Sequence, residues 1–124
     1  MKIAALVARI LMGLVFVFFG SNSFLHFLPV PPLPQNDAGQ FITVLIHSHY
    51  VVAVGIVQVI GGLLMLVGRY VPLGLILLGP VIVNILLYHL FMEPKGIVPG
   101  LVVALCWFIV AYRRRENLAG IFAR

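Results

Sequence analysis

Charged residues are scarce in this 124-residue chain: they make up 9% of the sequence, and only three are acidic. Soluble globular domains carry about 25% charged residues, whereas 63% of the residues here are hydrophobic and the mean hydropathy is +1.19. This composition excludes a water-soluble fold. It favours a single membrane-embedded domain whose immediate partner is the lipid bilayer.

Cysteine is nearly absent as well. Cys106 stands alone in the sequence, which excludes an intrachain disulfide and a CxxC redox pair. The net charge is +5, but the sequence has no basic stripe and no aromatic stacking platform, so we expect no nucleic-acid partner. A nucleophile–base pair, paired carboxylates, a glycine-rich phosphate loop and a metal motif are also missing. The sequence therefore contains no complete catalytic constellation and leaves open whether the protein is an enzyme.

Apolar runs of membrane-spanning length dominate the rest of the chain. The first begins after Lys2 and continues to Leu28, which is longer than the core of a signal peptide, so we expect it to be retained as a span. About 20 apolar residues cross a bilayer as a helix. The runs thus predict an all-α, integral membrane four-helix bundle that uses the whole chain as one transmembrane domain. The predicted helices cover about residues 3–27, 50–67, 71–92 and 97–112.

Prolines interrupt this pattern at two places. The stretch LPVPPLPQNDAGQ separates the first two spans and cannot be helical, because its prolines favour extended geometry. Residues 41–49, which follow it, are predicted to form an interfacial or re-entrant segment. Pro80 lies near the middle of the third span, where it removes a hydrogen bond to the Ile76 carbonyl. We expect a neighbouring helix or a water to satisfy the freed group.

Basic residues are distributed unevenly between the two ends of the predicted bundle. With both termini and the turn between the second and third spans at one end, that end holds seven of the eight basic residues, and the other holds only Lys95. Lys and Arg concentrate on the cytoplasmic side of a membrane. We therefore expect the N and C termini to be cytoplasmic and the proline-rich loop between the first two helices to lie outside.

The polar residues of the spans collect in the half that is predicted to lie outside. At 1.5 Å per residue, Gln58 and Asn84 each lie roughly 12 Å inward from the outer ends of their helices. Tyr88 follows Asn84 by one turn, and all four histidines lie near the outer ends. An apolar pocket with a few convergent hydrogen-bonding groups suits a quinone or another flat lipophilic molecule. The predicted ligand-binding residues are Gln58, Asn84, Tyr88, His89 and His26.

Other interpretations fit the same residues. Gln58 and Asn84 also suit a structural role, in which their amides hydrogen-bond across a helix pair. A metal or haem site that uses His26 and His89 is a third interpretation, although no acidic or thiolate ligand supports it and the histidine spacing is not diagnostic. The glycine-rich helix faces are compatible with packing inside one chain and with a homo-oligomer.

Three stretches resemble the DoxX family, whose members are small four-helix proteins of the bacterial inner membrane. They are HFLPVPPLP after the first span, QVIGGLLMLVGRYVPLGLILLGPVIVN through the second and third spans, and NILLYHLF at the end of the third. The resemblance extends from Ala8 to Tyr112 and implies a multi-pass protein of the bacterial inner (cytoplasmic) membrane. The positions that match the family's signature, without assigned roles, are His26, Gln58, Arg69, Pro80, Asn84 and His89.

The resemblance also implies a link to membrane redox chemistry, because DoxX itself is named for a subunit of a quinone-linked oxidase and thiosulfate:quinone oxidoreductase. If the protein is an enzyme, the resemblance implies an oxidoreductase subunit. The chain departs from the family in two respects. An acidic residue often stands where Gln58 is found here. The wider group also resembles vitamin K epoxide reductase, but the paired cysteines of that enzyme are missing here, which excludes a dithiol mechanism.

We therefore expect an accessory of membrane redox or quinone chemistry that binds a lipophilic ligand in the outer half of the bundle and has membrane redox subunits as partners. The competing hypothesis is a non-catalytic assembly, lipid-handling or structural subunit. A histidine-based metal or haem carrier is the third. The sequence leaves the identity of the ligand, any reaction, the partner proteins and the oligomeric state undetermined.

Overall fold

Helices account for most of the structure, a computed structural model that describes residues 2–25, 27, 32–33 and 35–122. Along this part of the chain the α-helices are α1 (Lys2–Leu25), α2 (Asp37–His47), α3 (Tyr50–Val67), α4 (Val71–Phe91), α5 (Ile97–Arg113) and α6 (Arg115–Leu118). Short 3-10 turns precede α5 at Pro94–Gly96 and follow α6 at Ala119–Phe122.

Four helices are long and apolar enough to cross a membrane: α1, α3, α4, and α5 together with the turn before it. They form a ring in which α1 packs on α3, α3 on α4, α4 on α5, and α5 back on α1. The predicted all-α four-helix membrane bundle is thus confirmed. The start of α1, the α3–α4 turn and the end of α5 lie together at what we call the terminal end. The opposite end, next to α2, is called the α2 end.

Glycines bring α1 and α3 into close contact. A Cβ atom on Gly20 would lie 2.9 Å from the carbonyl oxygen of Gly55, and a Cβ on Gly62 would lie 2.9 Å from that of Gly13. These distances are too short for any side chain, so the two backbones approach each other directly, as small residues allow in membrane helices. The pairing also shows that α1 and α3 are antiparallel, because Gly13 meets Gly62 while Gly20 meets the earlier Gly55.

The apolar core is concentrated toward the terminal end. The largest fully buried side chains are all in that half: Met12, Met65, Val71, Leu75, Leu78 and Val110. Toward the α2 end, beyond Phe16, Ile82 and Val103, the buried residues of the described chain are all small. They are Gly20, Ala38, Gly39, Gly55 and Gly100. Beyond these three residues, the part of the bundle next to α2 therefore has no large buried side chain among the described residues.

Pro80 does not break α4, which is helical from Val71 to Phe91. The indole Nε1–H of Trp107 on α5 donates to the main-chain carbonyl of Leu75 at 2.9 Å. Leu75 directly precedes Ile76, the residue whose carbonyl loses its partner to the proline. As predicted, a neighbouring helix thus hydrogen-bonds to the backbone of α4 close to the proline. It does so at the carbonyl of Leu75, however, and not at the freed carbonyl of Ile76.

A side-chain cap starts α2 at the end of the proline-rich stretch. The side chain of Asn36 accepts a hydrogen bond from the backbone N–H of Gly39 at 3.2 Å, which satisfies one of the free donors of the first turn. The prediction that the whole stretch LPVPPLPQNDAGQ is non-helical was wrong for its last four residues, because they follow the last proline and already belong to α2. The helix thus begins four residues before the predicted segment 41–49, packs against α3, and leads into α3 through a two-residue turn. In that turn His49 adopts a left-handed conformation with φ of 61°.

Candidate functional site

The last turns of α4 carry the predicted site residues that lie closest together. Tyr88 and His89 are both half-buried, and their ring centroids are 5.0 Å apart in an edge-to-face arrangement. Phe41 of α2 stacks on Tyr88, with ring centroids 5.5 Å apart and planes inclined by 30°. These contacts build an aromatic wall that joins α2 to α4 at the α2 end of the bundle.

The imidazole of His89 is oriented by the turn that follows α4. Its Nδ1 lies 3.1 Å from the main-chain carbonyl oxygen of Glu93. Because a carbonyl only accepts, the Nδ1–H is the donor. Gly96 makes room for the ring, since a Cβ there would lie 2.9 Å from Cε1 of His89. In the neutral ring Nε2 is then the hydrogen-bond acceptor that remains for a ligand.

Asn84 lies one turn before Tyr88 on the surface of α4. Its side chain is exposed, and its Nδ2 donates to the main-chain carbonyl of Pro80 at 3.0 Å. The second amide hydrogen and the Oδ1 atom form no hydrogen bond with a described residue. Asn84 is seven residues from the end of α4 at Phe91, which places it roughly 10 Å inside the span. Polar groups at such a depth normally have partners, so this amide is a candidate ligand contact.

Gln58 has other neighbours than Asn84. Its side chain is half-buried in α3, and a Cβ atom added to Gly20 of α1 would lie 2.9 Å from the Cβ of Gln58. The side chain thus starts in the close α1–α3 contact, whereas Asn84 is on the exposed side of α4. This position favours a helix-packing role for Gln58.

The remaining histidines give no metal centre in the described part of the chain. His26, a predicted ligand contact, lies outside the described residues. His47 and His49 are exposed at the α2 end. Among the described residues, no three His, Cys, Asp or Glu side chains are grouped closely enough to hold a metal ion. Cys106 is buried in the core.

Two open grooves lie on the described surface away from these residues. One runs beside α2 and is lined by Leu33, Gln35, Gly39, Gln40, Thr43 and Val44. The other lies at the terminal end, between the last turns of α5 and the segment that follows it. The polar residues of α4 border neither groove, so a ligand at Asn84 and Tyr88 would lie against the bundle surface from the lipid side.

Arg9 has a role that its position in the sequence does not reveal. Its guanidinium donates to the main-chain carbonyls of Met65 and of Leu66, the latter at 3.5 Å, in the last turn of α3. Gly68 makes this possible, because it adopts φ of 78° and a Cβ there would lie 2.7 Å from Nη1 of Arg9. A positive charge at a helix C-terminus satisfies free carbonyls and interacts favourably with the helix dipole. In the sequence, Gly68 indicates only that α3 ends there, because glycine is common just after the last turn of a helix.

Comparison with known proteins gives one match. The model of the DoxX family matches residues 4–90, which run from the first turn of α1 to the last turn of α4. A search of curated proteins and a search of solved structures each found no match.

Proposed function

The chain belongs to the DoxX family, and from this premise we propose that it is a bacterial inner-membrane protein that binds a lipophilic ligand as an accessory to membrane redox chemistry. The ligand class is a quinone or a similar flat molecule with carbonyl groups. The proposed contacts are Asn84, Tyr88 and His89, which we call the α4 polar cluster. Its four span-length helices make the chain a multi-pass membrane protein.

The exposed amide of Asn84 is the observation that carries this proposal. An amide roughly 10 Å inside an apolar span has no water to bond to, and here one of its N–H groups and its oxygen are without a described partner. A bound molecule with both acceptor and donor groups would satisfy them.

The chemistry of the α4 polar cluster suits the two redox forms of a quinone. A quinone carbonyl accepts hydrogen bonds, which the free N–H of Asn84 and the hydroxyl of Tyr88 are able to donate. A quinol hydroxyl donates, and Oδ1 of Asn84 and Nε2 of His89 are acceptors. The stacked pair of Phe41 and Tyr88 provides a flat aromatic surface beside these groups.

Two other predicted contacts, Gln58 and His26, remain predictions. The half-buried side chain of Gln58 lies next to the Gly20–Gly55 contact. A ligand that reaches between α1 and α3 would be needed to touch it. His26 lies outside the described residues.

Thermal unfolding of the purified full chain with a short-tailed quinone tests the proposal. At a ligand concentration of 100 times Kd, binding to the folded state alone adds about 2.7 kcal/mol to the free energy of unfolding. We expect Asn84→Leu to abolish this stabilisation and to leave the ligand-free protein within about 0.5 kcal/mol of the original, because Asn84 is exposed and bonds only within its own helix.

The matched control is Val83→Leu, at an exposed position next to Asn84. It should retain the stabilisation by quinone. If quinones fail to stabilise the original protein, or stabilise the Asn84→Leu variant equally well, the proposal is wrong.

The second candidate function is a non-catalytic assembly subunit, and the same exposed amide favours it. An amide on the lipid-facing side of a span also hydrogen-bonds to a helix of another membrane protein. In that case Asn84→Leu should abolish co-purification of a membrane partner, while quinones change nothing in the unfolding of the isolated chain.

A further inference from the structure

The chain folds back on itself at the terminal end of α5. After Arg113 the backbone leaves the helix at Arg114, and the short helix α6 (Arg115–Leu118) follows. Leu118 packs against the hydrophobic core of the bundle instead of extending away from it. This return places an apolar residue from the C-terminal segment beside the last two turns of α5.

The return creates an open groove along α5. Trp107, Phe108 and Tyr112 line it from α5, and Leu118 and Ala119 line it from the returning segment. Phe108 and Tyr112 are 65% and 57% exposed, so the groove opens on the side of α5 that would face lipid. It is apolar along its length except at one end.

Arginine occupies that end. The guanidinium of Arg115 lies over the ring of Tyr112, 4.4 Å from its centroid, and its Nη1 donates to the Tyr112 main-chain carbonyl at 2.9 Å. A guanidinium has five N–H donors, so most of those on Arg115 remain for another partner. Arg113 and Arg114 precede it directly, and Glu116 is the acidic residue beside this run.

We propose that the groove binds one acyl chain of an anionic phospholipid whose phosphate is held by Arg115, with the neighbouring Arg114 adding positive charge. The dimensions agree, because Trp107 is six residues before Arg113 and therefore roughly 9 Å deeper along α5. A lipid phosphate at the membrane surface would thus meet the arginines while its acyl chain follows the groove toward Trp107. Guanidinium groups bind phosphate through paired, charge-assisted hydrogen bonds.

The distribution of charge in the groove favours an anionic phospholipid as the ligand. The mouth is cationic and the remaining wall is apolar and aromatic, which matches the two parts of an anionic phospholipid. A basic residue near an anionic membrane surface contributes about 1 kcal/mol to attraction, which corresponds to a roughly fivefold preference for anionic over neutral lipid. The site is independent of the α4 polar cluster, which lies at the opposite end of the bundle.

Trp107 makes the proposal directly measurable, because it is the single tryptophan of the chain and it lines the groove. The full chain is reconstituted in phosphatidylcholine vesicles that contain either brominated phosphatidylglycerol or brominated phosphatidylcholine at equal mole fraction. Bromine quenches tryptophan fluorescence at short range. We expect the anionic lipid to quench Trp107 at a lower mole fraction, with a relative association constant roughly five times higher for each arginine involved.

The double variant Arg114→Gln and Arg115→Gln should abolish this preference and leave quenching by the neutral lipid unchanged. The matched control, Lys2→Gln with Arg69→Gln, removes two exposed basic residues from the same end of the bundle and should retain it. If the double variant does not fold, Arg115→Gln alone should still reduce the preference. Equal quenching by both lipids in the original protein would overturn the proposal. An equal loss of the preference for anionic lipid in the control variant would also overturn it. The same holds if a bound polypeptide covers the groove and protects Trp107 from quenching by both lipids.

Discussion

Arg9 of α1 donates a hydrogen bond to the main-chain carbonyl of Met65, in the last turn of α3. The pair links the first membrane-spanning helix to the end of the second, and Leu66 accepts from the same guanidinium. Gly68 admits the arginine by having no side chain where the guanidinium lies. A charged residue in the first span is thus a helix cap within the bundle, at the terminal end.

We expect Arg9→Met to lower the free energy of unfolding by about 1–3 kcal/mol, because carbonyls at the end of α3 lose a charged donor. Methionine keeps the length and apolar stem of the side chain. The free energy of unfolding in detergent measures the effect. The control is Arg69→Gln, which removes an exposed arginine at the same end and should change stability by less than about 0.5 kcal/mol. Equal effects of the two variants would mean that Arg9 acts through net charge alone.

We expect Gly20→Ala to destabilise the bundle by about 1–3 kcal/mol. Its Cβ would lie 2.9 Å from the Gly55 carbonyl oxygen, so α1 and α3 would have to separate. The control is Gly120→Ala, since a Cβ at Gly120 meets nothing within 4 Å. Thermal unfolding of both variants measures the difference, and a Gly20→Ala protein as stable as the original would contradict the close contact of the two backbones.

We expect Trp107→Phe to cost about 1 kcal/mol, because it removes the indole N–H that bonds to the Leu75 carbonyl near Pro80. Hydrogen exchange of the α4 amides should become faster around Pro80 in this variant. Phe108→Leu is the control, since Phe108 is exposed on the next position of α5 and should leave exchange in α4 unchanged. Unchanged exchange in Trp107→Phe would show that the indole does not support α4.

The predicted orientation is testable by cysteine labelling. In a Cys106→Ser background, Ser48→Cys marks the α2 end and Asn117→Cys marks the terminal end, both at exposed positions. The excess of basic residues at the terminal end predicts that this end is cytoplasmic. A membrane-impermeant maleimide should therefore label Ser48→Cys in intact spheroplasts and Asn117→Cys only after the membrane is opened. The reverse pattern would show that the bundle is inserted the other way round.

The number and length of the spans were predictable because apolar content alone decides whether a helix crosses a bilayer. The similar depth of Gln58 and Asn84 was predicted from the helix ends and a rise of 1.5 Å per residue, and it stays a prediction. Both features depend on position along the helix axis. The DoxX resemblance rested on three stretches between His26 and Phe91, and the family match covers residues 4–90.

Rotation about the helix axis was not predictable. α4 is apolar on all sides from Val71 to Val83, so no hydrophobic stripe shows which face packs inward, and the exposure of Asn84 appears only in the structure. The same limit applies to contacts between distant segments. The pairing of Arg9 with Met65 requires the register of two antiparallel helices, and the stacking of Phe41 on Tyr88 requires the position of α2.

Photoaffinity labelling tests the central claim, a lipophilic ligand at the α4 polar cluster, most directly. A quinone that carries a photoreactive group is irradiated with the reconstituted full chain, and the modified peptides are identified by mass spectrometry. We predict modification within residues 84–89 of α4 and at Phe41 of α2, suppressed by excess unlabelled quinone and by Asn84→Leu. Modification spread over all lipid-facing helix surfaces and insensitive to both competitor and substitution would contradict the account.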